Sequence, residues 1–250
     1  MIRIGITGTD TGVGKTLVGC GVARALARRG LRVTAMKPIE TGVAARDPLR
    51  DGARLARAAN DTRPLSLVAP LTLADPLAPL VAARRAGVAV DLDALDEAIR
   101  SAAIDTDVLI VEGAGGLLVP ITERVSFDAL FAHWSLELVI VAANRLGVIN
   151  HVRLTCAAAR NAGLSIRAVV LNSVMGGDAD LSVADNASVI TELEDVRVVE
   201  LPWTRDADDL DLVADMFERS GLAEVVVNAR HPERSERTAC REGSCERTSS

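Results

Sequence analysis

Nine residues near the start, Gly8-Thr9-Asp10-Thr11-Gly12-Val13-Gly14-Lys15-Thr16, have the composition of a phosphate cradle. Glycines allow a tight turn and close backbone approach, and successive N–H groups at a helix start form an anion nest. Lys15 can reach the outer phosphates of a nucleotide and the Thr16 hydroxyl is a natural magnesium ligand. The opening glycine, Gly8, sits one position earlier than in the commonest form of this loop, which makes the loop one residue longer. Asp10, five residues before Lys15, stands where partition-type ATPases carry a second lysine, and this weakens a reading as a nucleotide switch.

Lysine itself is informative here. Of 28 basic residues, only Lys15 and Lys37 are lysines. A coding bias toward arginine explains most of this, but a compact ammonium also fits a narrow phosphate or substrate pocket that a guanidinium fork does not. Lys37 closes a strand in Met36-Lys37-Pro38-Ile39-Glu40-Thr41-Gly42, and ligands of open α/β sheets bind at the carboxyl ends of strands. Thr41 can offer a hydroxyl to a substrate or merely form the turn. A third strand delivers Glu112 into Gly113-Ala114-Gly115-Gly116, a carboxylate for magnesium beside N–H groups for an anion. Asp51 opens a helix predicted over 51–59 and reads equally as its N-cap. Gly147 to Asn150 begin another helix whose N–H groups can hold a carboxylate, with Asn150 as N-cap the plainer reading. His151 has no acid or thiol partner in sequence and is given no catalytic role. Asn172-Ser173, after its strand, can read a base edge or simply turn the chain.

These residues need a scaffold that points strand ends at one crevice. Apolar runs over 3–7, 32–37, 108–112, 138–142, 167–172 and 196–201 alternate with helical periods, clearest over 15–28, 91–103, 150–162 and 180–193. Gly30 and Gly163 supply helix stops. This alternation predicts a single α/β domain over 1–226 with a doubly wound, mostly parallel sheet, and the phosphate loop after its first strand makes it of the P-loop NTPase type. The remainder, 227–250, is almost wholly polar and is expected to be disordered. With 49% apolar residues against 25% charged in 250 residues, the chain can bury a substantial core. A net charge of −6 and 2% aromatics argue against a nucleic-acid surface. The apolar runs fall short of the about 20 residues of a membrane span, and the start lacks a signal-peptide layout, so a cytoplasmic location is expected. Cys20 and Cys156 read as buried, and Cys240 and Cys245 as exposed in the tail.

Five motifs occur together in order: Gly8 to Thr16, Lys37-Pro-Ile-Glu-Thr-Gly42, Val111-Glu-Gly-Ala-Gly-Gly116, Gly147-Val-Ile-Asn-His151 and Leu201-Pro-Trp203. As a set they resemble the dethiobiotin synthetase family over about residues 1 to 225. The resemblance implies a homodimer that closes a ureido ring on 7,8-diaminononanoate with CO2 and ATP, with Mg2+. Carried over by position, it implies Lys15 and Lys37 as catalytic cations and Thr16, Asp51 and Glu112 as magnesium ligands. It places Gly12, Val13, Gly14, Leu17, Gly113, Ala114, Gly115, Asn172, Ser173, Pro202, Trp203 and Thr204 around the nucleotide. Thr11 and Thr41 would meet the diamine, and Gly147 and Asn150 would reach a substrate carboxylate in the partner subunit. Two positions depart from the usual pattern, Leu80 where relatives often have His and Gly52 where Ala is more usual.

Overall fold

The computed structural model describes residues 1–43, 50–176 and 181–228. β1 (Ile2–Gly8) leads into α1 (Lys15–Arg28), and β2 (Val33–Met36) follows the left-handed stop at Gly30, where φ is 84°. Then come β3 (Ile39–Thr41), α2 (Asp51–Ala58), α3 (Leu65–Val68), β4 (Leu71–Leu73), α4 (Pro79–Ala86) and α5 (Leu92–Ala102). β5 (Val108–Gly116), α6 (Phe127–His133), β6 (Glu137–Ala143), α7 (Val148–Asn161) and β7 (Ile166–Asn172) continue the alternation. α8 (Val183–Glu194), β8 (Val198–Leu201), α9 (Leu210–Arg219) and α10 (Leu222–Val227) complete it.

The main sheet has the order β2-β5-β1-β6-β7-β8, with every pair parallel. Parallel neighbours need crossover helices, so both faces are covered and the strands read as unbroken apolar runs. The two-residue period sorts them. Val108 and Ile110 of β5 join Val18, Val22 and Leu26 of α1 and Phe217 of α9 on one side. Leu109 and Val111 meet Ile99 of α5, Phe131 of α6 and Val152 of α7 on the other. α1 lies so near α9 that a Cβ on Gly21 would stand 2.2 Å from the Phe217 ring. This is the doubly wound α/β sheet the alternation predicts.

Several local readings are corrected. The helix expected from 150 begins at Val148, because Gly147, at φ 93°, is its N-cap; Asn150 is an exposed residue of the first turn and caps nothing. Asp51 is likewise the first helical residue of α2, and Arg50 holds the cap position. The helix expected over 180–193 runs from Val183, and position 180 lies outside the described residues. β3 and β4 pair in parallel as a separate small sheet, too short at three residues each for a period to show. The Asp209 carboxylate accepts from the N–H groups of Asp211 and Leu212 and starts α9, a capping signal present in the sequence. Of the expected tail, Val227 closes α10, whereas residues from 229, with Cys240 and Cys245, lie outside the described residues. Cys20 and Cys156 are buried, which raises their thiol pKa values to about 12 and about 11. Among the described residues no helix is long and apolar enough to cross a membrane.

Candidate active site

Sheet register assembles the site. β1 lies between β5 and β6, with Ile6 opposite Glu112, so the loop after β1 opens directly beside that carboxylate. On the other edge of β5, Met36 pairs with Val111, so the next residue, Lys37, emerges beside Glu112. Three strand ends thus bring two cations and an anion to one crevice.

The loop from Gly8 to Thr16 folds back on itself. A Cβ on Gly8 would meet the Asp10 carbonyl at 2.7 Å and the Lys15 ammonium at 3.1 Å. Gly14, the N-cap of α1, has φ 98°, and a Cβ there would overlap the Asn172 amide nitrogen at 2.2 Å. That amide donates to the Val13 carbonyl at 3.0 Å, which ties the end of β7 to the loop. Lys15 is buried and its ammonium donates to the Asp10 carbonyl at 3.0 Å. Burial pulls its pKa down, and nearby Glu112 offsets this only in part.

Glu112 is wholly buried, and its Oε1 accepts from the Thr16 hydroxyl at 2.9 Å and from the Lys37 ammonium at 2.6 Å. Lys37 also donates to Asp51 Oδ2 at 2.5 Å. Burial pushes the Lys37 pKa down, but Glu112 and Asp51 outweigh it and hold the pKa above the ordinary lysine value. Burial pushes the Asp51 pKa up, and Lys37 reverses this to a net lowering. Lys37 is therefore a fixed cation, and Asp51 and Glu112 converge on it.

A cavity of about 700 Å³ opens over this cluster. Its walls include Thr11, Gly12, Gly14, Lys15, Thr16, Leu17, Lys37, Thr41, Asp51, Glu112, Ala114 and Gly115. Most of the residues singled out from sequence therefore meet at one place. Val13 and Gly113 are buried behind the wall, the latter against Phe127 and Phe131. Asn172 ends β7 and Ser173 follows it, its N–H donating to the Leu201 carbonyl. Pro202, Trp203 and Thr204 follow β8, with Trp203 exposed and the Arg205 guanidinium 6.0 Å from its ring centroid. Gly147 and Asn150 are not in this cavity but line a separate groove along α7 with Ile149, Arg153 and Leu154.

Residues the sequence did not single out also form the cavity wall, among them Arg54, Val119 and Ala207. Arg54 follows Asp51 by one helical turn on the same face of α2. Its guanidinium reaches Asp208 at 3.0 Å and the Ala207 carbonyl at 3.3 Å. Among 26 arginines only that spacing marks it.

The donor set suits magnesium. Thr16, Asp51 and Glu112 supply hard oxygens, and both carboxylates already close around one compact cation, the Lys37 ammonium. Among the described residues no cluster of three His, Cys, Asp or Glu side chains forms a metal cage. A magnesium ion held here would therefore complete its shell with phosphate oxygens and water, as this ion commonly does.

Comparison with known proteins decides the family. The chain is 43% identical over 80% of its length to the ATP-dependent dethiobiotin synthetase of Anaeromyxobacter dehalogenans (strain 2CP-C), covering 90% of that protein. It belongs to the dethiobiotin synthetase family. The synthetase of Aquifex aeolicus is 34% identical over 92% of this chain and all of its own length. The family model described as an AAA domain matches residues 3–210. A ParA family ATPase from Chlorobium tepidum, 18% identical, matches with a TM-score of 0.51 over 91% of this chain and 98% of its own. At that identity it speaks for the P-loop fold alone.

Proposed function

We propose that this protein closes the ureido ring of dethiobiotin from 7,8-diaminononanoate, CO2 and ATP, as a step of biotin biosynthesis. The observation that carries this reading is the Lys37 ammonium, buried and fixed by Glu112 and Asp51 beside the phosphate loop. It supplies a positive charge where anions must form, within a cavity whose other wall is a nucleotide loop.

The reaction then runs on charge placement. One substrate amine adds to CO2 and loses a proton, giving a carbamate whose negative charge Lys37 stabilises. A carbamate oxygen attacks the γ-phosphorus, ADP leaves, and a carbamic-phosphoric anhydride results. Lys15 and the N–H groups from Gly12 to Leu17 neutralise the phosphates during that transfer, where positioning and electrostatics provide nearly all of the catalysis. The second amine attacks the carbamoyl carbon, expels inorganic phosphate and loses its proton, which closes the ring. Thr11 and Thr41 line the same cavity and would orient the diamine. Thr16, Asp51 and Glu112 would hold the magnesium ion, which supplies charge neutralisation for the triphosphate. Asn172, Ser173 and Pro202 to Thr204 would flank the base.

The α7 groove supports a homodimer in which Gly147 and Asn150 reach the partner's substrate carboxylate: it is lined by the exposed start of a helix and an exposed leucine, Leu154. We place the enzyme in the cytoplasm, where its nucleotide and CO2 are supplied.

Incubation with MgATP, bicarbonate and 7,8-diaminononanoate, read by mass spectrometry, tests the assignment. Dethiobiotin and ADP that appear only when all three are present establish it. ATP hydrolysis independent of the diamine and without product would leave the nucleotide site and discard the substrate.

A further inference from the structure

We propose that Glu40 is a positioning residue of the active site: by accepting the backbone N–H of Gly52 it fixes the first turn of α2, and with it Asp51, against Lys37. This rests on the reading of Asp51 as part of the magnesium-nucleotide site. Glu40 lies on β3 one residue before Thr41, which lines the cavity, and its side chain is 1% exposed. Its Oε1 accepts from Gly52 N at 3.1 Å, while Oε2 lies 3.4 Å from Arg50 Nε without a hydrogen bond. The contact is close. A Cβ on Gly52 would stand 3.3 Å from Glu40 Oε2 and 3.0 Å from the Ala69 methyl.

The arrangement answers a local deficit. The N-cap of α2 is Arg50, whose side chain makes no capping bond, since a guanidinium has no acceptor. A helix start ordinarily takes its acceptor from Ser, Thr, Asp or Asn at that position. Here a carboxylate from another element fills the role and also sets negative charge against the helix N-terminus. A serine at position 50 would cap the helix without burying a carboxylate, and burying one is costly. What the remote cap adds is a tie between β3 and α2, so that Lys37, Thr41 and Asp51 share one frame. Asp51 directly precedes the residue that Glu40 holds.

The test compares Glu40→Leu with Glu40→Gln, whose amide oxygen can still accept from Gly52. For each, ATP affinity is measured by calorimetry in magnesium and in EDTA, alongside the melting temperature. The Leu variant is expected to lose about tenfold of the affinity gained from magnesium, the scale seen when a metal ligand loses its support, with affinity in EDTA unchanged. The Gln variant should retain that gain even if its melting temperature falls. A folded Leu variant with the full magnesium gain overturns the proposal, and so does an equal loss in both variants. Should Glu40→Leu fail to fold, Glu40→Leu with Arg50→Met removes the buried cation with its carboxylate, and the same loss is expected. Asp51→Asn separates the two readings. If it abolishes the magnesium gain while Glu40→Leu keeps it, only the role of Glu40 falls; if it leaves the gain intact, the reading of Asp51 falls and Glu40 with it.

Discussion

Two carboxylates hold Lys37 in one place and one charge state, and in the proposed reaction it stabilises the carbamate. Removing it with Lys37→Ala should lower kcat for ring closure by about 10²- to 10³-fold, the cost of deleting one fixed electrostatic stabiliser, with the far-ultraviolet circular dichroism unchanged. Near-normal turnover would exclude it from the reaction. The Thr16 hydroxyl, which donates to Glu112, should matter for metal rather than for fold. Thr16→Val is expected to weaken ATP binding in magnesium with little change in EDTA. The Asp51 pairing has a pH signature. Its folded pKa is lowered, by Lys37 against the opposing pull of burial. A lowered carboxylate pKa contributes stability that is present above the unfolded carboxylate value and lost as the pH falls through the folded one. Urea midpoints of the native protein should therefore fall more steeply below about pH 4 than those of Asp51→Asn. Parallel curves for the two would show that the pair contributes nothing to the linkage.

At the scale of elements, the site depends on how closely β7 approaches the phosphate loop. Gly14 works there for two reasons, a left-handed φ of 98° and an Asn172 amide lying where a Cβ would be. Gly14→Ala costs about 1–2 kcal/mol from backbone conformation alone, and the overlap must also push Asn172 off the Val13 carbonyl. Nucleotide affinity should drop by more than tenfold in a protein that still melts cooperatively. Wild-type affinity would mean that the loop reshapes freely. Both cavity lysines sit at element ends for a similar reason. Lys15 is the first residue of α1 and Lys37 follows β2, so each long side chain reaches the crevice while its backbone stays in the packed layers.

For the whole molecule, the question is whether the α7 groove is a subunit interface. Leu146 and Leu154 are 80% and 62% exposed near its lining residues Gly147 and Asn150. Sedimentation should give a dimer, and Leu154→Glu should shift it toward monomer and raise KM for the diamine more than KM for ATP. A monomer with full activity would detach that groove from the reaction.

Much of this arrangement was legible in the residues themselves. Glycine, lysine and threonine at fixed spacing after an apolar run point to a phosphate loop, because the glycines permit the tight turn while the ammonium and hydroxyl suit phosphate and magnesium. Lysine rarity pointed to Lys37, and unbroken apolar runs of strand length, alternating with helical periods, marked the strands of the main sheet. Helix starts were less legible: Asp51 and Asn150 looked like caps, yet Arg50 and Gly147 hold those positions. Asp51 is instead drawn to Lys37, a partner 14 positions away, and local spacing cannot report such a contact. Strand order decided the rest. With β5 between β2 and β1, Glu112 stands beside Lys37 on one edge and beside the phosphate loop on the other. That adjacency arises from parallel pairing of distant strands, and the remote cap by Glu40 and the arginine bridge from α2 to Asp208 from the packing of α2 against β3 and the segment before α9. The sequence by itself determined which side chains carry charge and which turns the backbone must make; only tertiary packing decided which of those charges face one another.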